Sequence, residues 1–160
     1  MKTVFIVRHG QAAGGNAMVT DAQRLLTPRG EYEVRAAADH LHSLEPAPAV
    51  ILSSTAERAR ATAGILHAAV PHADLLVEED LYGADPALWV RHLQAQEDHV
   101  QAVLLVGHNP GLEILVQELT GSRAGLLPAT LAHVQLQVST WPEVAADGSG
   151  RLVAVWVPGS

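Results

Sequence analysis

Two arginines and two histidines are placed where they could bind and attack an anion. Arg8 and His9 directly follow an apolar run and precede Gly10, Arg58 lies shortly after another apolar run, and His108 ends a third. An arginine guanidinium binds phosphate oxygens through paired hydrogen bonds, and a neutral imidazole nitrogen is a nucleophile at physiological pH. If the four side chains converge, we expect them to bind a phosphoryl group and one histidine to accept it.

A proton donor is a further group that such a transfer can require. When the leaving atom is an alkoxide oxygen, a protonated carboxyl must supply a proton. Glu79 follows a short apolar run at 75–77 and reaches the other groups if its loop folds inward. We therefore predict Glu79 as the general acid.

Short strands must position these residues. The runs 4–7, 49–52 and 103–106 are apolar on consecutive positions, which is typical of strands covered on both faces. Ligands of open α/β sheets bind outside the carboxyl ends of the strands. The side chains that follow these runs are therefore expected to meet in one crevice, bounded by a loop of small residues after Gly10 that could fold around a ligand.

Helices are predicted between the strands. Thr27 before Pro28 is typical of a helix start, and an apolar stripe continues the helix over 28–43. Asp85 before a proline starts another helix, and Asn109 before Pro110 is expected to cap the one that follows the third strand.

The helix that carries Arg58 is predicted over 53–70. Ser54 and Glu57 have the spacing of a capping box, which places Arg58 in the first turn. Arg60 lies about 200° further around the helix, so only one of the two arginines can face the strand ends. We expect Arg58 to do so and Arg60 to be solvated.

The C-terminal part changes character. Positions 133–138 alternate apolar and polar residues, and 152–157 is a further strand after a glycine-rich turn. We predict a hairpin at the edge of the sheet. The whole chain then forms a single α/β domain over 1–160.

Composition excludes several functional classes. A net charge of -7 argues against broad nucleic-acid or anionic-membrane binding. No apolar run approaches the ~20 residues of a membrane helix, and no signal-peptide pattern is present, so a cytoplasmic protein is expected. The remaining histidines do not form a recognisable ligand set, and we predict neither a metal site nor another cofactor.

The ordered motifs resemble the histidine phosphatase superfamily, the relatives of phosphoglycerate mutase, and within it the short SixA-type phosphohistidine phosphatases. The resemblance is carried by Arg8-His9-Gly10, Arg24-Leu25-Leu26-Thr27-Pro28-Arg29-Gly30, Ser54 with Arg58-Ala59 and Thr62-Ala63, and Gly107-His108-Asn109-Pro110. It implies that His9 is the phosphorylated nucleophile and that Arg8, Arg58 and His108 form the phosphate pocket. It also implies a three-layer α/β/α sandwich with a central, mostly parallel sheet.

Two departures from the superfamily affect the substrate. The stretch Glu79-Asp80-Leu81-Tyr82-Gly83 resembles the one that holds the general acid, but a one-residue shift would assign that role to Asp80 instead of Glu79. The long insertion of the mutases is missing, which predicts an open pocket. We therefore expect a phosphatase for a phosphohistidine on another protein, with a small phosphate ester, a catalytically inactive binding module or a mutase as alternatives. The sequence shows no conspicuous apolar surface stripe, so a monomer is expected.

Overall fold

The structure, a computed structural model, describes residues 1–159. The strands are β1 (Lys2–Arg8), β2 (Val50–Ser54), β3 (Asp74–Glu78), β4 (Ala102–Gly107), β5 (Leu131–Leu136) and β6 (Arg151–Trp156). The helices are α1 (Pro28–His42), α2 (Glu57–Ala69), α3 (Pro86–Gln94) and α4 (Gly111–Thr120). Within the described chain, no helix is both long and apolar enough to cross a membrane.

All six strands form one sheet in the order β3-β2-β4-β1-β5-β6. The first four in that order run parallel, whereas β5 pairs antiparallel with β1 and β6 antiparallel with β5. The prediction of a mostly parallel, mixed sheet that ends in a hairpin is confirmed.

The strand register places the predicted site residues side by side at the carboxyl ends of neighbouring strands. Arg8 is paired with Gly107 across β1 and β4, and Ser53 is paired with Val106 across β2 and β4. The next residue of each strand therefore emerges at the same edge of the sheet, as expected for the carboxyl ends of adjacent parallel strands.

Helices cover both faces of the sheet because the strand side chains alternate. On β1, Val4 and Ile6 belong to a core cluster that also contains side chains of α3 and α4. Phe5 and Val7 belong to a second cluster, built with α1 and α2. All four β1 side chains are completely buried, so the predicted three-layer α/β/α architecture is confirmed.

Two helix starts agree with the cap predictions. The Thr27 hydroxyl accepts a hydrogen bond from the Gly30 N–H at 3.0 Å, and the Asp85 carboxylate accepts one from the Leu88 N–H at 3.3 Å. In both helices a proline occupies the first helical position, where no amide hydrogen is needed.

Two other cap predictions are wrong. Ser54 is the last residue of β2, paired with Glu78, and α2 begins after Ala56 without a side-chain cap. Asn109 is also not a cap, because α4 begins after Pro110 and the Asn109 amide donates hydrogen bonds elsewhere. In both cases tertiary contacts engage the polar side chain, which sequence spacing alone does not reveal.

Candidate active site

His9 is the first residue after β1 and is held by its neighbours. Its backbone N–H donates to the Gly107 carbonyl at 3.0 Å, and its Nδ1 lies 2.7 Å from the Gly10 carbonyl oxygen. A carbonyl only accepts, so Nδ1 carries the proton and Nε2 carries the lone pair. The Gly10 N–H donates to the Thr62 hydroxyl at 3.0 Å, and that hydroxyl donates to the Arg58 carbonyl at 2.7 Å, which ties this loop to α2.

The His9 imidazole is neutral near pH 7. Burial, together with the charges of the nearby arginines, lowers its pKa from the usual 6.5 to about 4, although the Gly10 hydrogen bond acts in the opposite direction. The residue is only 8% exposed. A neutral ring whose Nε2 lone pair is not protonated is the nucleophilic form of histidine.

His108 follows β4 and lies beside His9, with 5.1 Å between the ring centroids. Its Nε2 is 2.6 Å from the Ser54 hydroxyl, and its Nδ1 is 3.4 Å from Nη2 of Arg58. Because arginine can only donate, Nδ1 is the acceptor and Nε2–H donates to Ser54. Burial lowers the pKa of His108 to about 4, with further contributions from His9 and Arg58, so this ring is neutral as well.

Arg58 lies in the first turn of α2 and presents its two edges to different partners. On one edge, Nε donates to His9 Nε2 at 3.3 Å and Nη2 approaches His108 Nδ1. On the terminal edge, Nη1 donates to the Asp21 carbonyl at 2.7 Å and Nη2 to an Asp21 carboxylate oxygen at 3.0 Å. Arg58 is buried, whereas Arg60 is exposed on α2, as predicted.

Arg8 directly precedes His9, and its charge lowers the pKa of both His9 and His108. Its Nη1 donates to the Leu126 carbonyl at 3.0 Å, whereas its Nε is buried without a hydrogen-bond partner among the described residues. Burial lowers the pKa of Arg8, and the charge of Glu113 partly offsets that effect. The four predicted residues around the phosphate position are thus brought together: two guanidinium groups beside two neutral imidazoles.

Asp21 is part of this site and was missed in the sequence. It lies in a short 3-10 turn, Asp21–Gln23, of the loop that follows Gly10. Its carboxylate contacts Arg58, accepts a hydrogen bond from Arg24 at 3.0 Å and one from the Tyr82 hydroxyl. The available signal was its position three residues before Arg24, but it lies beyond the small-residue loop, residues 11–16, that we expected to fold around a ligand.

The two candidates for the general acid have different surroundings. Asp80 accepts hydrogen bonds from His92 Nε2 at 3.0 and 3.1 Å, on helix α3. Glu79 is exposed, and its carboxylate forms no hydrogen bond or ion pair with residues 1–159. Asp80 is therefore engaged elsewhere. A catalytic role of Glu79 stays a prediction, since no contact links it to the pocket.

A cavity of about 220 Å³ lies next to His108, between the segment 81–89 and the start of α4. Its walls include the apolar side chains of Trp89, Pro86 and Ile114. The Tyr82 and His108 rings are nearly perpendicular, with 5.7 Å between their centroids. The predicted phosphate pocket is therefore bordered by a largely apolar wall next to His108.

No group of three or more histidine, aspartate or glutamate side chains in the described part of the chain is arranged to hold a metal ion. The two guanidinium groups and the two imidazoles of the site can bind a dianion, and a neutral imidazole can attack it.

The sequence of this chain is similar to those of known proteins. Residues 4–89 match the model of the histidine phosphatase superfamily (branch 1). An uncharacterised protein of Mycobacterium tuberculosis is 31% identical over 162 residues, which cover 95% of this chain and 99% of that protein. The matched model includes His9 and Arg58 but ends before His108.

Solved structures extend the similarity to the whole chain. A protein of Agrobacterium tumefaciens assigned as the phosphohistidine phosphatase SixA has a TM-score of 0.83 and 28% identity, over 98% of each chain. The protein histidine phosphatase SixA complexed with tungstate has a TM-score of 0.79 and 28% identity, over 98% of this chain and 97% of that one.

Proposed function

The chain belongs to the histidine phosphatase superfamily (branch 1) and is a phosphatase of the SixA-like type, and we propose that it hydrolyses phosphohistidine on a protein through a phosphorylated His9. The observation that carries the proposal is the orientation of His9. Gly10 holds the Nδ1 proton, so the Nε2 lone pair points to the Nε edge of Arg58.

In the first step, the lone pair of His9 Nε2 attacks phosphorus. The Nε2–P bond forms and the P–N bond to the substrate histidine breaks. The departing imidazole takes a proton from solvent on its other nitrogen and leaves as a neutral ring. The proton on His9 Nδ1 stays with the Gly10 carbonyl, which stabilises the positive charge of the phosphorylated ring.

In the second step, water attacks phosphorus and the Nε2–P electron pair returns to His9. Both water protons leave with the phosphate, and His9 is again neutral. Throughout, Arg8 and Arg58 offset the charge of the phosphoryl oxygens. His108 gains a proton when the dianion binds, because a nearby negative charge favours the imidazolium, and its Nδ1–H then donates to the phosphoryl group.

A leaving imidazole fits the pocket better than an alkoxide. An alkoxide must be protonated, yet Asp21 is held ionised: the Tyr82 hydroxyl, Arg24 and Arg58 keep the pKa of its carboxyl well below the usual range. The Glu79 carboxylate forms no hydrogen bond or ion pair within residues 1–159, and Asp80 is paired with His92. The apolar cavity beside His108 also suits a flat ring.

The test compares phosphate release from a phosphohistidine peptide, 4-nitrophenyl phosphate and 3-phosphoglycerate. We expect the peptide to be the preferred substrate, and we expect His9→Ala to abolish release while His72→Ala, on an exposed surface histidine, retains it. Faster release from 3-phosphoglycerate would instead identify a small-ester phosphatase. No release from any substrate, with the phosphopeptide still bound, would identify a binding module.

The protein is proposed to act as a monomer on its phosphorylated partner. Because the mutase insertion is missing, short loops form the edge of the pocket. A protein domain can therefore approach the pocket. Sizing chromatography at micromolar concentration should give the mass of a single 16.9 kDa chain. A dimer would overturn this part of the proposal.

A further inference from the structure

Arg58 is a buried cation, and its orientation decides whether it can donate hydrogen bonds to a phosphoryl group on His9. A guanidinium can bind oxygens through its terminal edge or through its Nε edge. Here the Nε edge faces both histidines, with Nε 3.3 Å from His9 Nε2 and Nη2 3.4 Å from His108 Nδ1. A phosphoryl group on His9 Nε2 would therefore meet this edge.

Asp21 occupies the other edge. Its main-chain carbonyl accepts from Nη1 at 2.7 Å and its carboxylate from Nη2 at 3.0 Å, which together hold the terminal edge at two points. Nη2 belongs to both edges, but it carries two N–H bonds, one on each edge. Asp21 and a phosphoryl group would therefore use different hydrogens of Arg58.

Asp21 is itself fixed from two other directions. Arg24 pairs with the second carboxylate oxygen at 3.0 Å, and the Tyr82 hydroxyl donates to the oxygen that also binds Arg58. Arg24 is held in turn by the Ala13 carbonyl, which accepts from its Nε at 2.6 Å. The loop after Gly10 and the segment after β3 thus meet at one carboxylate, although that side chain is half exposed.

We propose that Asp21 is a positioning residue, which holds the terminal edge of Arg58 so that the Nε edge faces the phosphoryl group on His9. The inference rests on the proposed function. It means that a residue of the loop after Gly10 orients an arginine that lies 37 residues further along the chain.

A double-mutant cycle tests whether Asp21 acts through Arg58. We expect Asp21→Ala to lower kcat about 10- to 100-fold, because small displacements of a positioned group are costly, and to change KM much less. Asp21→Asn keeps one acceptor oxygen and should retain more activity. In an Arg58→Gln background, Asp21→Ala should change kcat less than about twofold, because the residue to be positioned is gone.

Tungstate affinity supplies a readout without turnover. Loss of a carboxylate would by itself favour anion binding, so weaker tungstate binding by Asp21→Ala would show that position, not charge, has been lost. Asp39→Ala, on the exposed side of α1, is the matched control and should leave kcat and tungstate binding unchanged. Circular dichroism confirms that each variant is folded.

Two results would overturn the inference: an equal loss of kcat in both backgrounds, or tighter tungstate binding by Asp21→Ala. Its failure is distinct from failure of the proposed function. If the wild-type protein binds tungstate but releases no phosphate, the proposed function fails. The double-mutant cycle of Asp21 and Arg58 is then evaluated from the tungstate affinities of the four proteins.

Discussion

The two arginines of the pocket are held in opposite ways. Arg58 is buried, and its donors have partners in His9, His108 and Asp21. Arg8 makes one side-chain hydrogen bond, to the Leu126 carbonyl, and its buried Nε has no partner among residues 1–159. Arg58 is thus oriented before a ligand arrives, whereas Arg8 keeps a donor that a ligand can satisfy.

This difference has an energetic meaning. An unsatisfied buried donor costs about 1–3 kcal/mol, and a bound oxyanion that pairs with Arg8 Nε would recover that cost. Arg58 recovers little in this way, because its hydrogen bonds already exist in the empty pocket. We therefore expect Arg8 to contribute to ligand binding through a new hydrogen bond and Arg58 through preorganisation.

The largest expected effects come from removing each arginine. Arg8→Ala and Arg58→Ala should each lower kcat/KM about 10²- to 10³-fold, since each removes donors to the charge that develops on the phosphoryl oxygens. Steady-state kinetics with the preferred phosphorylated substrate measure this. Near-wild-type activity of either variant would remove that arginine from the pocket.

Stability should separate the two variants. Arg58→Ala leaves several partners without their hydrogen bonds and is expected to lower the free energy of unfolding by about 1–3 kcal/mol. Arg8→Ala removes an unsatisfied donor together with one hydrogen bond, so we expect a change of less than about 1 kcal/mol. Urea unfolding at pH 7 provides the comparison, and equal losses would contradict it.

The pH dependence of stability is the next largest effect. His9 and His108 have pKa values of about 4 in the folded protein against 6.5 in the unfolded chain. Between these values the unfolded chain binds more protons, so the free energy of unfolding falls as the pH is lowered from 6.5 to 4. For His9 the gap corresponds to on the order of 3 kcal/mol.

Urea unfolding at pH 7 and 4.5 measures this loss. His9→Ala should reduce this loss of stability, whereas His72→Ala should not.

The comparison of the two arginines is tested by NMR titration of the histidines. Arg58→Gln should raise the pKa of both His9 and His108 more than Arg8→Gln does, because the charge of Arg58 acts more strongly on both rings. The reverse order would contradict the observed geometry.

A smaller effect is expected at Ser54, which binds His108 on the side opposite Arg58. Ser54→Ala removes the acceptor at 2.6 Å that keeps the proton on His108 Nε2. We expect kcat to fall about 3- to 10-fold, in line with the loss of one neutral hydrogen bond of about 1 kcal/mol. Ser53→Ala, which affects a buried hydroxyl bonded only to the adjacent carbonyl, is the control.

The smallest effect on phosphohistidine hydrolysis is expected at Glu79, whose carboxylate, unlike that of Asp21, has no hydrogen-bond or ion-pair partner within residues 1–159. Glu79→Gln should change this rate less than about twofold, because the departing imidazole takes its proton from solvent. Hydrolysis of an alkyl phosphate should fall at least 10-fold if Glu79 is the general acid. Equal rates for the variant and the wild type on both substrates would exclude that role.

The positions of the strand ends could be predicted from local patterns in the sequence. Buried strands are marked by continuous apolar runs such as Val4–Val7, and parallel strands align their carboxyl ends, so Arg8, His9 and His108 could be placed together before the fold was known. The periodicity of α2 likewise separated Arg58 from Arg60. These inferences depend on local patterns and on the regular geometry of sheets and helices.

The hydrogen bonds that hold these residues could not be predicted in this way, because they form between distant parts of the chain. Ser54 has the spacing of a cap but binds His108, and Asp21 lies in an irregular loop yet contacts Arg58 across 37 residues of chain. Such contacts depend on how loops pack over the strand ends, which no periodicity encodes. The tautomers and pKa values of the two histidines have the same origin, because burial and neighbouring charges exist only in the folded chain.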